Sequence, residues 1–218
     1  MSETTIAAAG KDLNSHTVWN SGQASDQILL RIARQCKGVH PAVDAKIDAR
    51  ASLISGRQEM RSIPGRIPGE AVVPLVLCIQ EDHPAEEASW AAMTAVLNFC
   101  SVTGLNFVHN PHPETGVRPV DFAYFDISVT DRGIPDAEQA INSVLTESIR
   151  TQLQASPFAL VHLQMDRDAS PQLGDALVEL VCEGRFNSLT TGNALFIFSQ
   201  PEGSDAIDAT RCFSVVLG

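Results

Sequence analysis

Apolar residues along this chain fall into two rhythms. Between residues 23 and 54 they recur at helical spacing. Ile28, Leu29, Ile32 and Ala33 form one stripe behind a Ser25-Asp26 N-cap, and Val43, Ile47 and Ala51 form a second over 41–54. From residue 71 onward, short continuous apolar runs alternate with helical stretches. The runs 71–79, 120–128, 158–164 and 194–198 predict strands, and 85–99, 137–154 and 171–182 predict the helices between them. Strands separated by helices are βαβ units, which build a parallel sheet covered on both faces. The expected fold is a three-layer α/β/α sandwich with a mainly parallel central sheet. The runs 72–78, 158–163 and 194–198 are almost purely apolar, so they are expected at its centre.

Residues 1–22 are rich in Ser, Thr, Ala, Gly and Asn and read as a flexible arm pinned by Val18 and Trp19, leaving 23–218 as the folded domain. Gly56, Pro64, Gly65, Pro68 and Gly69 mark 55–70 as a connector. With 218 residues, 44% of them hydrophobic, the chain can bury a sizeable core. No apolar run approaches the roughly 18 residues of a membrane span, and the first ten residues lack the basic start of a secretion signal, so a cytoplasmic protein is expected. Cys36, Cys78, Cys100, Cys182 and Cys212 are scattered without a C-x-x-C pair, which points to small buried hydrophobes. His109 and His112 flank a proline and read as loop residues, so no metal site is expected.

The net charge of -11 hides an asymmetry: Arg31, Arg34, Lys37, Lys46, Arg50, Arg57, Arg61 and Arg66 supply eight of the fifteen basic residues. That stretch is either a solvated face or a docking surface for an acidic protein. It carries no aromatic residue for base stacking, which argues against nucleic acid.

Ligands of open α/β sheets sit beyond the carboxyl ends of the strands, here after Ile79, Leu163 and Phe198. Around those ends the text runs Leu145-Thr146-Glu147-Ser148-Ile149-Arg150, then Ser156-Pro157 and the 158–163 strand, then Ala169-Ser170-Pro171, then 177–186 ending Glu183-Gly184-Arg185-Phe186. In order and spacing this resembles the Walker B region of Clp-type AAA+ ATPases. Ser199 and Gly203-Ser204-Asp205-Ala206-Ile207 resemble their sensor strand and its continuation. Upstream, Gly38-Val39-His40-Pro41 and Phe125-Asp126-Ile127-Ser128 are similar to earlier parts of the same domain. The resemblance spans about residues 28–208 and implies an AAA+-like, P-loop NTPase large subdomain. No small lid domain is expected, since only ten residues follow Asp208.

The chemistry of that family is missing from the matching positions. A P-loop wraps phosphates with glycine amides and a lysine. The Walker A position here reads Gln80-Glu81-Asp82-His83-Pro84-Ala85-Glu86-Glu87, with neither residue type and four carboxylates. The Walker B position holds Gln164 and Met165, which can be neither general base nor carboxylate ligand, while Asp166 and Asp168 fall past the strand end. The sensor asparagine falls on Pro201. The stretch 131–138 has no pore-loop aromatic, and the single tyrosine, Tyr124, lies within a strand. The resulting expectation is a pseudo-ATPase without catalytic residues or cofactor. It would bind or regulate a protein partner such as an AAA+ oligomer, as a monomer or dimer, through the basic stretch and Arg185. The alternatives are a hydrolase or transferase using His83, His162, Asp166 or Cys182, and a domain that binds nucleotide without hydrolysing it.

Overall fold

In the computed structural model, which describes residues 18–55, 73–111, 120–130, 136–186, 189–190 and 194–218, the first helix starts earlier than its apolar stripe suggests. Asn20 caps α1 (Ser21–Cys36): its side chain accepts from the Gln23 amide at 2.9 Å, and the Gln23 side chain accepts from the Asn20 amide at 3.1 Å. This reciprocal capping box satisfies two otherwise orphaned donors. Ser25, expected at the cap, is instead buried inside the helix. β1 (Val18–Trp19) lies just before it, so residues 18–22 are strand, cap and helix rather than part of an arm. The rest of the expected arm, 1–17, lies outside the described residues, as do most of the connector (56–72), the 131–135 loop and His112.

α2 (Pro41–Ser55) buries Val43 and Ile47 as its spacing predicts. β2 (Leu75–Ile79), α3 (Glu86–Thr103), β3 (Phe107–His109) and β4 (Phe122–Val129) follow. The helix expected over 137–154 is two helices, α4 (Ala137–Val144) and α5 (Glu147–Ala155). Leu145 is buried at the break, and Thr146 starts the second helix by accepting from the Ile149 amide. β5 (Phe158–Met165), α6 (Pro171–Glu183), the short β6 (Arg185–Phe186) and β7 (Leu189–Thr190), then β8 (Ala194–Pro201) and β9 (Phe213–Leu217) complete the order.

Seven strands form one sheet in the order β1-β9-β2-β8-β5-β4-β3, every described pair parallel, while β6 and β7 pair antiparallel apart from it. The three apolar runs occupy the centre, as β2, β8 and β5. Strand pleating sends alternate residues to opposite faces. Leu75, Leu77, Phe122, Tyr124, Leu160 and Ile197 pack under α1, α2 and α3, while Val76, Phe125, Val161, Leu163, Phe196 and Phe198 pack against α4 and α6. The three layers are thus those the sequence pattern predicts. No helix among the described residues is long and apolar enough to cross a membrane.

α6 meets the loop after β8 without space between them. A Cβ built on Gly174 would stand 1.6 Å from the Ala206 carbonyl oxygen, a backbone atom that no side-chain motion can relieve. Alanine is the better helix former by roughly 1 kcal/mol, yet the clash outweighs it. Gly174→Ala is expected to destabilise the domain by about 2–3 kcal/mol in urea denaturation, the scale of an overpacked contact.

Candidate functional site at the carboxyl edge of the sheet

The central strands β2, β8 and β5 end side by side, and a cavity of about 710 Å³ opens past them. Its walls come from the segments singled out in the sequence: Gln80, Glu81, His83 and Ala85 after β2, Gln164, Met165 and Asp166 at the end of β5, and Ser199, Gln200 and Pro201 on β8. Ser128, Thr130 and Arg167 complete the rim. This is where an open parallel sheet holds its ligand.

α3 begins at this cavity without a side-chain cap: Ala85 occupies the N-cap position, and Glu86 and Glu87 stand in the first turn. Those carboxylates meet the positive end of the helix dipole themselves, the position an anionic ligand would otherwise take. Glu87 also holds His83, Oε2 to Nδ1 at 3.4 Å. Across the opening, the Arg167 guanidinium donates to Glu81 at 3.0 Å, an exposed pair linking the loop after β2 to the residues after β5. Asp166 lies one residue past β5 and reaches the cavity wall, although its Oδ1 accepts from the Arg167 amide at 2.7 Å.

Beneath the cavity, on the face covered by α3, the register gathers polar side chains that lie far apart in the sequence. Asp126 pairs with His162 across β4 and β5, and one pleat further Ser128, Gln164 and Ser199 share a row across β4, β5 and β8. His162 is fully buried. Its Nε2 lies 2.8 Å from Ser199 Oγ, and its Nδ1 approaches Asp126 Oδ1 at 2.9 Å without the alignment of a directed hydrogen bond. Gln164 Nε2 donates to Asp126 Oδ1 and, at 3.1 Å, to Ser89 Oγ on α3. Burial alone would raise the Asp126 carboxyl, but the His162 ring, then Gln164 and Ser89, hold it below the usual carboxylate range. Tyr124, buried beside it, is pushed far up by burial first and then by the Asp126 charge.

No family model and no curated protein matches this chain.

The described residues of the basic stretch lie on α1 and α2. Arg31 donates to the Val73 carbonyl at 2.8 Å and lies 5.6 Å over the Phe213 ring. Lys37 pairs with Asp48 at 3.2 Å, and Lys46 donates to the Thr103 carbonyl at the end of α3. Arg34 is exposed on α1, and Arg50 falls within α2. Arg57, Arg61 and Arg66 lie outside the described residues. Gly184 closes α6 with φ 71°, so the Glu183-Gly184-Arg185 trio is a glycine-capped helix end followed by β6. Cys182 sits on α6, away from the cavity walls. Among the described residues, no group of three His, Cys, Asp or Glu side chains could hold a metal ion.

Sequence reasoning named His162 and Gln164 separately but missed Ser89, Asp126 and Ser199 as their partners. The only signal was a polar residue in each of three apolar strands. Asp126→Asn is expected to cost about 1–3 kcal/mol near neutral pH, because Gln164 loses a charged, half-buried acceptor. A carboxylate with a depressed folded pKa contributes in full above its unfolded value near 4 and loses that contribution as pH falls through the folded value. Urea denaturation of wild type and variant should therefore differ most at pH 6–7 and converge below about pH 4.

Proposed function

We propose that this domain is a pseudo-ATPase: an AAA+-like large subdomain that neither binds nor hydrolyses nucleotide and acts by binding another protein, within an assembly such as an AAA+ oligomer. The observation that carries the reading is Gln164. At the strand end where the resemblance puts the carboxylate of a magnesium shell, the side chain is an amide that donates to Ser89 and Asp126. An amide nitrogen offers no lone pair to a cation and cannot take a proton from water. The loop after β2 supports the same reading. It brings Glu81 to the cavity wall and Glu86 and Glu87 to the helix start, with no glycine or lysine between Gln80 and Glu87. Phosphates brought there would meet like charge at close range.

A hydrolase is the second reading, favoured by one observation: Ser199, His162 and Asp126 stand in the contact order of a nucleophile, base and orienting acid. It ranks below the first because Ser199 lies within β8, in ladder register with both Leu77 of β2 and Gln164 of β5. Backbone amides committed to a ladder are not available as an oxyanion hole. Ser199 is also buried, with 3% of its surface exposed, whereas a serine nucleophile must meet its substrate.

Magnesium-ATP and magnesium-ADP at millimolar concentration are expected to leave the melting temperature unchanged and to give no saturable heat in calorimetry. Binding at 100 times the dissociation constant would add about 2.7 kcal/mol, or roughly 5–10 °C in a domain of this size, so a shift of that order would overturn the first reading. A serine-directed fluorophosphonate is expected to label wild type no more than Ser199→Ala. Stoichiometric labelling lost in that variant would replace the first reading with the second.

A further inference from the structure

Among the large apolar side chains that the described residues expose, Trp90 and Leu97 are the only two on one element. They are 69% and 48% exposed and stand seven residues apart on α3, directly opposite its buried stripe of Ala88, Ala92, Ala95, Val96 and Phe99. Thr94 and Ser101, also exposed, lie in line with them, with exposed Asn98 to one side. The spacing 90, 94, 97, 101 alternates four and three residues, which is the seam of a helix that packs against another helix. No charged residue occurs from Ala88 to Val108, in a chain with a net charge of -11. A solvated helix face normally carries charge, and an exposed apolar strip without it marks a surface that is covered in use.

We infer that this face pairs with α3 of a second copy of the chain, antiparallel about a two-fold axis that crosses the helix between Ala95 and Val96. Such an axis sets Trp90 against the partner's Ser101 and Leu97 against the partner's Thr94. Each large side chain thus meets a small one, twice over by symmetry. A parallel pairing would instead stack Trp90 on its own copy and bring the acidic first turns, Glu86 and Glu87, together. The antiparallel arrangement separates those turns. It carries Glu86, which shares the outward face, toward the opposite end of the partner's helix, where exposed Lys46 donates to the Thr103 carbonyl. Size, charge and helix direction therefore agree on one self-complementary docking. It rests on α3 and the neighbouring Lys46 of α2 and does not depend on what the cavity at the sheet edge binds.

Sedimentation equilibrium of the reduced full chain tests this with variants that separate fitted packing from general stickiness. Wild type is expected to be a dimer at micromolar concentration, and Leu97→Glu a folded monomer, since the side chain it replaces is half exposed in the protomer. Ser101→Trp makes the face more apolar, yet it should weaken the dimer by about 10- to 100-fold, the cost of two large side chains in one place. The exchange Trp90→Ser with Ser101→Trp restores large against small and should recover the dimer. A wild type that stays monomeric throughout the micromolar range overturns the inference. So does a Ser101→Trp variant that associates as tightly as wild type, or a dimer indifferent to Leu97→Glu.

Discussion

A sheet whose strands all run parallel is covered on both faces, because the long returns to the starting edge mostly carry helices across one face or the other. Most of this domain's architecture follows from that constraint. Leu75 and Leu77 on one side of β2, and Val76 on the other, must both find apolar partners, and α1 and α3 supply them above while α4 and α6 supply them below. Only the ends of the strands escape coverage. At the carboxyl end the loops after β2 and β5 diverge toward α3 and α6 while that after β8 returns to β9, and the cavity is the space they leave. Its position is a consequence of the winding and says nothing by itself about a ligand. The residues in it have to carry that conclusion.

Those residues turn inward. Ser89, Asp126, His162, Gln164 and Ser199 contact one another in a layer that would otherwise be as apolar as the rest of the face. A half-buried carboxylate needs favourable groups around it, and here the nearby imidazole, an amide and the α3 serine share that task. The arrangement ties β4, β5, β8 and α3 together beneath the cavity floor. Gln164 points its donors at Ser89 and Asp126.

The layers and the central strands were legible because parallel strands buried on both faces are written as unbroken apolar runs. β9 was not legible for the complementary reason: Phe213-Ser214-Val215-Val216-Leu217 is short and interrupted, and its Ser214 is held by a contact with Cys78 at 3.3 Å that only the sheet creates. The break between α4 and α5 was hidden because Leu145 is apolar and continues the helical stripe while it packs into the core. Asn20 escaped notice as a cap because the apolar rhythm begins only at Ile28. The polar cluster is the clearest case of what one dimension conceals. Asp126, His162 and Ser199 are separated by more than thirty residues at each step, and only strand register makes them neighbours.

The same reasoning distinguishes the two surfaces that drew attention in the sequence. A cluster of basic residues read as either a solvated face or a docking face, and among its described members Arg31 and Lys46 donate to backbone carbonyls and Lys37 pairs with Asp48. Exposed charge is inexpensive to keep, since water solvates it whether or not a partner comes. An exposed tryptophan is different. Roughly two hundred square ångströms of ring gains nothing from water, and threonine or lysine at position 90 would serve an isolated helix as well. The outer face of α3 therefore says more about association than the basic stretch does, although it is the quieter of the two in a reading based on charge.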